Sequence, residues 1–534
     1  MAGAEVAATT GRRSRLPGTR GLVEGVLLIA LFGLAVQPVQ DPDFFWHVRV
    51  GDWIAAHGRV PTADLFSYTV AGKPWVPHEW LSELTLSLLL RHIGLPFHGS
   101  GPVGAPGLGA IVLGFGLLVF AGLVLVYRTA REVPYPIRAA LMLLAVAAAN
   151  PILGPRTQMV TFTLSAALLL LLRRYRETGS TRWLWAVPPL FVVWANTHAG
   201  FAIGLAFIAA HLVGEALTLP GPDGRGRAPL RPLALTLAAS LLACAANPSF
   251  VAIYTYPLQT LGNDALQRLV DEWKSPDFHQ AQFRAYEALA LLTLALLALG
   301  PRHLNPLART RRAFQLRPTD LILLLATFDL SLHAVRHIVL FVVVAMPVLA
   351  TLLAGAHDAW RDRLPRLREP ARTPLTGGIN LAVVLLLGAV TAAATLPKLA
   401  QSVDGRILRA TFPVATVDRL VADPPPGRVF NVFGWGGYLV YRMPDERVYI
   451  YGETELMGND LLDEYARVVT LRPDYLAVLD RRGVDWVIYP SGAPLAVALA
   501  GNPGWAVAMD DGQAVVLVRR GPATLAYLAR HGLG

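Results

Sequence analysis

The sequence predicts a mainly α-helical, polytopic membrane protein with a C-terminal extracytoplasmic α/β domain. Of its 534 residues, 54% are hydrophobic and only 16% are charged, whereas a soluble domain carries about 25% charged residues. Long apolar runs recur from residue 22 to residue 396 and then stop. The net charge of +10 does not indicate nucleic-acid binding, because cytoplasmic loops of membrane proteins collect arginine.

Eleven apolar segments predict about eleven membrane-spanning helices. They are residues 22–39, 107–127, 136–150, 158–172, 183–195, 201–218, 233–246, 285–299, 319–334, 338–355 and 379–396. Residues 1–21 form a polar, arginine-containing tail, and no signal-peptide cleavage site follows the first apolar run. The predicted organisation is therefore a cytoplasmic tail 1–21, a transmembrane domain 22–396 and a soluble domain 397–534.

The distribution of basic residues predicts the orientation of the chain. If residues 79–93 form an interfacial helix that does not span, 24 arginines fall in predicted cytoplasmic segments 1–21, 128–138, 173–182, 225–231, 302–317 and 361–372. Only nine Lys or Arg residues then fall in the outer loops. By the positive-inside rule, residues 40–106 form one long outer loop and the tail 397–534 is extracytoplasmic. The arginine-rich composition is typical of a bacterium, so we expect the cytoplasmic membrane.

The C-terminal tail reads as a small α/β domain. Strands are predicted at 428–433, 447–451 and 484–489, with a hairpin at 505–518, and helices at 459–469, 473–482 and 522–531. Neither a dinucleotide-binding fingerprint nor a P-loop motif occurs in it, so no nucleotide site is predicted.

The polar residues that are not cytoplasmic anchors fall together at the predicted outer face, which indicates a site there. The candidate residues are Asp41, Asp43, His47, His78, Glu79, Arg156, Gln158, Asn196, His198, Glu272, Arg336 and His337. Carboxylates and histidines in one loop suit two kinds of chemistry. One is general-base activation of an acceptor hydroxyl. The other is a divalent cation, Mg²⁺ or Mn²⁺, held by Asp41, Asp43, His78 and Glu79.

Two arginines at the outer ends of spans suit an anionic ligand. Arg156 and Arg336 would bind a phosphate through charge-assisted hydrogen bonds. The spacing of Asp329, His333, Arg336 and His337 predicts that all four share one helix face, turned into the bundle with Asp329 deepest.

Several strings make the chain resemble the GT-C superfamily of integral-membrane glycosyltransferases, and most closely a group of uncharacterised bacterial GT-C-like membrane proteins. These strings are DPDFFWHVRVGDWIAAHGRVPTADLFSYTVAGKPWVPHEWL, GPRTQ, WANTHAGF, NPSF, DEWKSPDF and RHIVLF. The resemblance implies transfer of a hexosyl or pentosyl group from a polyprenyl-phosphate-linked donor to a glycan, glycolipid or protein acceptor, with inversion. It also implies a base just after the first helix, which is Asp43 here, with Asp41 as the rival.

Two other functions fit the same sequence. A transporter or lipid flippase would use Asp329 and His333 as an intramembrane proton relay. A non-catalytic envelope scaffold would use residues 397–534 as a binding module. Against transport, the polar groups cluster at one membrane face and do not line a path across the bilayer.

Thiol labelling tests the predicted orientation. In a Cys244→Ser background, single cysteines at Arg91 and Asn459 should react with an impermeant thiol reagent in intact cells, whereas cysteines at Ala308 and Pro365 should not. Labelling at 308 together with protection at 459 would contradict the predicted topology.

Overall fold

The computed structural model describes residues 16–93, 107–218, 228–304, 316–360, 373–404 and 406–533. Every predicted apolar segment overlaps a helix, which confirms a mainly helical chain. The helices up to residue 404 are α1 (Thr19–Ala35), α2 (Phe44–His57), α3 (Trp80–His92), α4 (Leu108–Thr129), α5 (Tyr135–Ala149), α6 (Gln158–Thr178), α7 (Val187–Thr197), α8 (Phe201–Ala216), α9 (Leu230–Cys244), α10 (Thr255–Leu261), α11 (Asp264–Leu269), α12 (Arg284–Leu304), α13 (Pro318–His333), α14 (Ile338–Trp360) and α15 (Pro374–Asp404).

Within the described residues, four segments are long and apolar enough to cross a membrane. They are Leu108–Thr129, Ala281–Leu299, Val335–Ala354 and Pro374–Ala400, and shorter apolar helices cover Tyr135–Ala149, Phe201–Ala216 and Leu230–Cys244. The predicted count of about eleven spans stays a prediction. Most of the predicted cytoplasmic tail, and residues 94–106 of the predicted outer loop, lie outside the described residues.

Helices α2 and α3 pack closely against each other in the predicted first outer loop. A Cβ atom on Gly51 of α2 would lie 2.0 Å from the backbone oxygen of Glu83 in α3, so only glycine permits this approach. Asp52 strengthens the contact by accepting hydrogen bonds from Ser87 at 2.7 Å and from Arg91. A 13-residue helix is about 20 Å long, short of the ~30 Å hydrocarbon core, which agrees with an interfacial α3.

The C-terminal part contains a four-stranded mixed sheet. Its strands are β1 (Arg428–Asn431), β2 (Val484–Pro490), β3 (Trp505–Asp510) and β4 (Ala514–Arg519), in the order β1-β2-β4-β3. Strand β1 runs parallel to β2, and the other pairs are antiparallel. The helices here are α16 (Arg406–Thr411), α17 (Val414–Ala422), α18 (Gly436–Arg442), α19 (Thr454–Val469), α20 (Tyr475–Arg481), α21 (Pro494–Ala500) and α22 (Leu525–Arg530). The first and third predicted strands, the hairpin and the three predicted helices are confirmed.

The strand predicted at 447–451 is wrong. This segment pairs with the first outer loop, because the Val448 N–H donates to the Phe66 oxygen at 3.0 Å and the Val448 oxygen accepts from Tyr68 at 3.2 Å. The Asn431 side chain accepts from the Tyr449 N–H at 2.9 Å and donates to the Ile450 oxygen at 2.8 Å. These contacts satisfy the segment's backbone groups in place of a sheet ladder.

The C-terminal part and the first outer loop share one hydrophobic core. Phe45 of α2 contacts the rings of Phe412 and Tyr438 at centroid distances of 5.2 and 5.0 Å, and Trp46 contacts Tyr451 at 5.8 Å. Helix α15 continues to Asp404, so the boundary predicted at 396/397 falls inside a helix. The tail therefore packs directly over the residues that follow α1.

Candidate active site

Asp41 and Asp43 lie in a tight turn between α1 and α2. The Asp43 N–H donates to the Asp41 side chain at 2.9 Å, and the His47 N–H donates to the Asp43 backbone oxygen at 3.2 Å. Asp43 immediately precedes α2 without capping it through its side chain. Its carboxylate is therefore left available for other contacts.

The C-terminal part closes over the Asp43 carboxylate at Gly452. A Cβ atom on Gly452 would lie 1.6 Å from Asp43 Oδ1 and 2.8 Å from the indole nitrogen of Trp46. Gly437 similarly approaches the Pro42 oxygen, with a 3.0 Å separation from its ideal Cβ. Only glycine fits at Gly452, and its position shields part of the Asp43 side chain from solvent.

Burial changes the acidity of Asp43. Loss of solvent and the nearby charge of Asp41 raise the pKa of Asp43 to about 7, although the charge of His47 opposes the rise. Glu272 raises it further. A carboxylate with this pKa accepts a proton much more readily than an exposed aspartate and still ionises near neutral pH.

Four residues from distant parts of the chain form a line of alternating charges beside Asp43. Arg156 contacts Asp41 at 3.3 Å and Glu272 at 2.6 Å, and Arg336 contacts the other oxygen of Glu272 at 3.2 Å. The Arg336 guanidinium also stacks over the Trp273 ring at 4.4 Å. Two guanidinium groups are therefore held close to the partly buried carboxylate of Glu272.

A second group of residues surrounds Glu79 at the start of α3. His78, His47 and His198 contact its two carboxylate oxygens at 3.1, 3.6 and 3.7 Å. Burial raises the pKa of Glu79, but the three histidines outweigh this effect and hold it well below its usual range. Glu79 is therefore ionised.

His47 links this histidine group to the turn that carries Asp43. It contacts Glu83 at 3.2 Å. His47 lies four residues after Asp43, and Glu83 lies four residues after Glu79. Burial lowers the pKa of His47, but its hydrogen bond to Glu83 and the charges of Glu79 and Glu83 raise it to about 9. The imidazolium is charged at neutral pH and faces Asp43 from the next turn of α2.

Two further residues, which are not among the candidate residues named from the sequence, lie near the histidine group. Glu453, next to Gly452, is 3% exposed, and its Oε1 has no hydrogen-bond partner among the described residues. Burial and the nearby acids Glu455 and Glu79 raise the pKa of Glu453 well above its usual range. Tyr256 of α10 stacks on His78 with ring centroids 3.7 Å apart. Neither lies in a motif, and only the tertiary fold brings them here.

Three predicted site residues have supporting contacts. The Gln158 amide donates to the backbone oxygen of Arg336 at 2.8 Å. Asn196 accepts from the Trp80 indole at 2.6 Å and so fixes α3 against α7. His337 contacts the Leu330 oxygen at 3.3 Å and packs edge-on against Trp273.

The predicted shared helix face is wrong. Helix α13 ends at His333, and Ala334 is extended, because the Val335 N–H donates to the Lys274 oxygen at 3.0 Å. The Asp329 and His333 side chains are 70% and 69% exposed and contact each other at 3.5 Å on the outside of the helix. Only Arg336 and His337 face the site.

Among the described residues, no group of three or more His, Cys, Asp or Glu side chains is placed to hold a metal ion. Asp41 instead pairs with Arg156, and His78 with Glu79. The four residues suggested for Mg²⁺ or Mn²⁺ do not fit one cation site in this arrangement. A divalent cation stays a prediction, and no step below uses one.

The structure is similar to several solved membrane proteins. They include the oligosaccharyltransferase AglB from Archaeoglobus fulgidus (13% identity, TM-score 0.49, covering 92% of this chain and 74% of that one). ArnT from Cupriavidus metallidurans bound to undecaprenyl phosphate is 15% identical (TM-score 0.44, 94% and 98%). The mycobacterial arabinofuranosyltransferase AftD is 15% identical (TM-score 0.46, 95% and 40%).

These neighbours belong to the GT-C superfamily that the sequence resembles, as predicted. No family model matches the chain, and no curated protein matches it. Because every TM-score is below 0.5, the function proposed below rests on the site.

The pH dependence of turnover tests the state of Asp43. If Asp43 acts as a general base, the turnover number should rise through about pH 7, because a base acts only after losing its proton. Asp41→Asn removes a charge that raises this pKa, so it should move the rise to lower pH. An Asp41→Asn profile identical to wild type, measured under single-turnover conditions, would contradict the assignment.

Proposed function

We propose that the chain is an inverting membrane glycosyltransferase of the hexosyl or pentosyl class. It moves a sugar from a polyprenyl-phosphate-linked donor to an acceptor hydroxyl at the outer face of a bacterial cytoplasmic membrane. The observation that carries the proposal is the partly buried Asp43 carboxyl, with a pKa raised to about 7, next to the ion pairs that join Asp41, Arg156, Glu272 and Arg336 at one end of an apolar helix bundle. A base and a phosphate-binding pair in one place suit displacement of a lipid phosphate.

Asp43 acts as the general base. As the acceptor oxygen attacks the anomeric carbon, its proton passes to the Asp43 carboxylate. The new carbon–oxygen bond forms on the face opposite the phosphate, so a single displacement inverts the anomeric centre. Asp41 and His47 adjust the charge around the base but do not take the proton.

Arg336 stabilises the leaving group. When the bond between the anomeric carbon and the phosphate oxygen breaks, its electron pair stays on the polyprenyl phosphate. The guanidinium pairs with this growing negative charge. Arg156 is held by both Asp41 and Glu272, whereas Arg336 has Glu272 as its ionic partner at 3.2 Å. Arg336 is therefore the better placed to exchange a carboxylate for a phosphate.

The acceptor enters from the side covered by the C-terminal part. Gly452 and Glu453 of this part lie against the base and near the histidine group. We propose that a glycan, glycolipid or protein reaches Asp43 along this contact, while the lipid donor approaches from the helix bundle. In this arrangement the tail is extracytoplasmic, as the arginine distribution predicts.

The positions of Asp329 and His333 do not support the transport alternative. Asp329 and His333 lie on the outside of α13 and not inside the bundle. A flippase or a scaffold would also leave the donor bond intact. A transferase should release free polyprenyl phosphate from a polyprenyl-phosphate sugar when the purified protein and an acceptor are present. A flippase or a scaffold should not.

Loss of the base should abolish this release. Asp43→Asn should lower the turnover number by about 100- to 10,000-fold, because the amide cannot accept the proton. Asp41→Asn should have a smaller effect near pH 8, since its oxygen still accepts the Asp43 N–H bond. Asp329→Asn, an exposed acid outside the site, is the matched control and should retain activity. Wild-type turnover in a folded Asp43→Asn protein would remove Asp43 from the mechanism.

A lysine at position 336 should bind the donor poorly. Arg336→Lys keeps the charge but loses the planar fork that pairs with two phosphate oxygens, so we expect roughly a 10-fold or greater loss of donor affinity. Arg284→Lys, at an exposed arginine paired with Glu287, is the control and should be neutral. Donor binding can be measured by titration of the purified protein. Unchanged affinity in a thermally stable Arg336→Lys protein would assign Arg336 to structure alone.

A further inference from the structure

Four arginines surround a small cavity at the end of the bundle opposite the candidate active site. The cavity has a volume of about 270 Å³ and is lined by Arg128, Arg131, Arg138, Arg174 and Leu170. Helix α6 begins at the site with Gln158, and 16 residues separate Gln158 from Arg174, which corresponds to about 24 Å along its axis. The cavity is therefore no part of the transfer site.

Arg138 has a defined position in the wall of this cavity. The residue is 9% exposed, donates to Glu24 at 2.8 Å and lies over the Tyr127 ring at 4.1 Å. Its Nε is buried and has no hydrogen-bond partner in the described part of the chain. The contacts with Glu24 and with the Tyr127 ring therefore hold the Arg138 guanidinium in place at the wall of the cavity.

The positive charge around the cavity exceeds the negative charge. No acid lines it. Arg131 and Arg174 share the single carboxylate of Glu177, at 2.6 and 3.5 Å. Helix C-termini and cytoplasmic loops often carry isolated arginines, but here arginines from α4, α5, α6 and one loop converge on one space. This arrangement suits a phosphate, whose oxygens pair with several guanidinium groups at once.

The surroundings favour a lipid phosphate over a soluble one. Leu117 of α4 and Leu143 of α5 are exposed on the helices that lead to the cavity, and Leu170 forms part of its wall. Acyl chains can cover such apolar helix surfaces. The volume is just below the ~300 Å³ at which pockets for drug-sized molecules begin, and so suits a headgroup.

We propose that this cavity binds the phosphodiester headgroup of an anionic phospholipid in the leaflet opposite the transfer site. The arginine distribution predicts that this is the cytoplasmic leaflet, where anionic lipids are concentrated. The bound lipid would hold α4, α5 and α6 together at this end of the bundle. The proposal is independent of the transferase function.

Lipid titration of the purified full-length chain tests the proposal. Dioleoylphosphatidylglycerol should raise the melting temperature in a saturable manner, and dioleoylphosphatidylcholine should not. Each arginine near an anionic lipid surface contributes to the binding free energy. Loss of two arginines in Arg128→Gln/Arg131→Gln should therefore weaken phosphatidylglycerol binding about 30-fold. Both residues are exposed, so the double variant should fold.

Two controls make the outcome decisive. Arg182→Gln removes an exposed arginine in the predicted cytoplasmic loop after α6 that does not line the cavity, and should change the affinity less than 2-fold or so. Inorganic phosphate at the same concentration should give much less stabilisation than the lipid. The proposal is overturned by unchanged phosphatidylglycerol affinity in the double variant, by equal weakening in Arg182→Gln, or by equal stabilisation with phosphatidylcholine or inorganic phosphate.

Discussion

The close contact between the C-terminal part and the turn after α1 is the constraint on which the candidate site depends. At Gly452 the approach leaves no room for a Cβ atom beside the Asp43 carboxylate. Aromatic packing around Phe45 and Trp46 holds the two parts together. This contact removes water from Asp43, and the loss of water is the largest cause of its raised pKa. The tail thus takes part in setting the chemistry of the base.

Pairing of buried charges explains the rest of the arrangement. Ionised groups taken out of water need partners. Glu272 contacts two guanidinium groups within 4 Å, and Glu79 contacts the charged His47 together with His78 and His198. Among the described residues, Asp43 forms no ion pair at this distance. Its pKa is raised, whereas the pKa values of Glu79 and Glu272 are lowered. Asp43 is thereby set apart from Glu79 and Glu272, whose partners hold them ionised.

Helix α6 extends from the candidate active site to the arginine cavity. Its start lies against Arg336 through Gln158, and its end contributes Arg174 to the arginine cavity. We propose that both ends bind lipid phosphates, one as the leaving group of a reaction and the other as a fixed headgroup. The difference lies in the neighbouring acids, since the transfer site has a base beside its arginines, whereas the described residues that line the cavity include no acid.

The sequence by itself determined the helices and the loop that carries the site. Apolar runs predict helices because a helix satisfies its own backbone, and Asp41, Asp43, His47 and Glu79 all lie in the predicted outer loop. Tertiary contacts decided the remainder. The segment 447–451 is extended but pairs with the outer loop, and α13 stops at His333 where Lys274 takes the next backbone donor. Glu453 lies about 400 residues from the base it approaches, and no local pattern encodes a contact between two chain segments that meet only after folding.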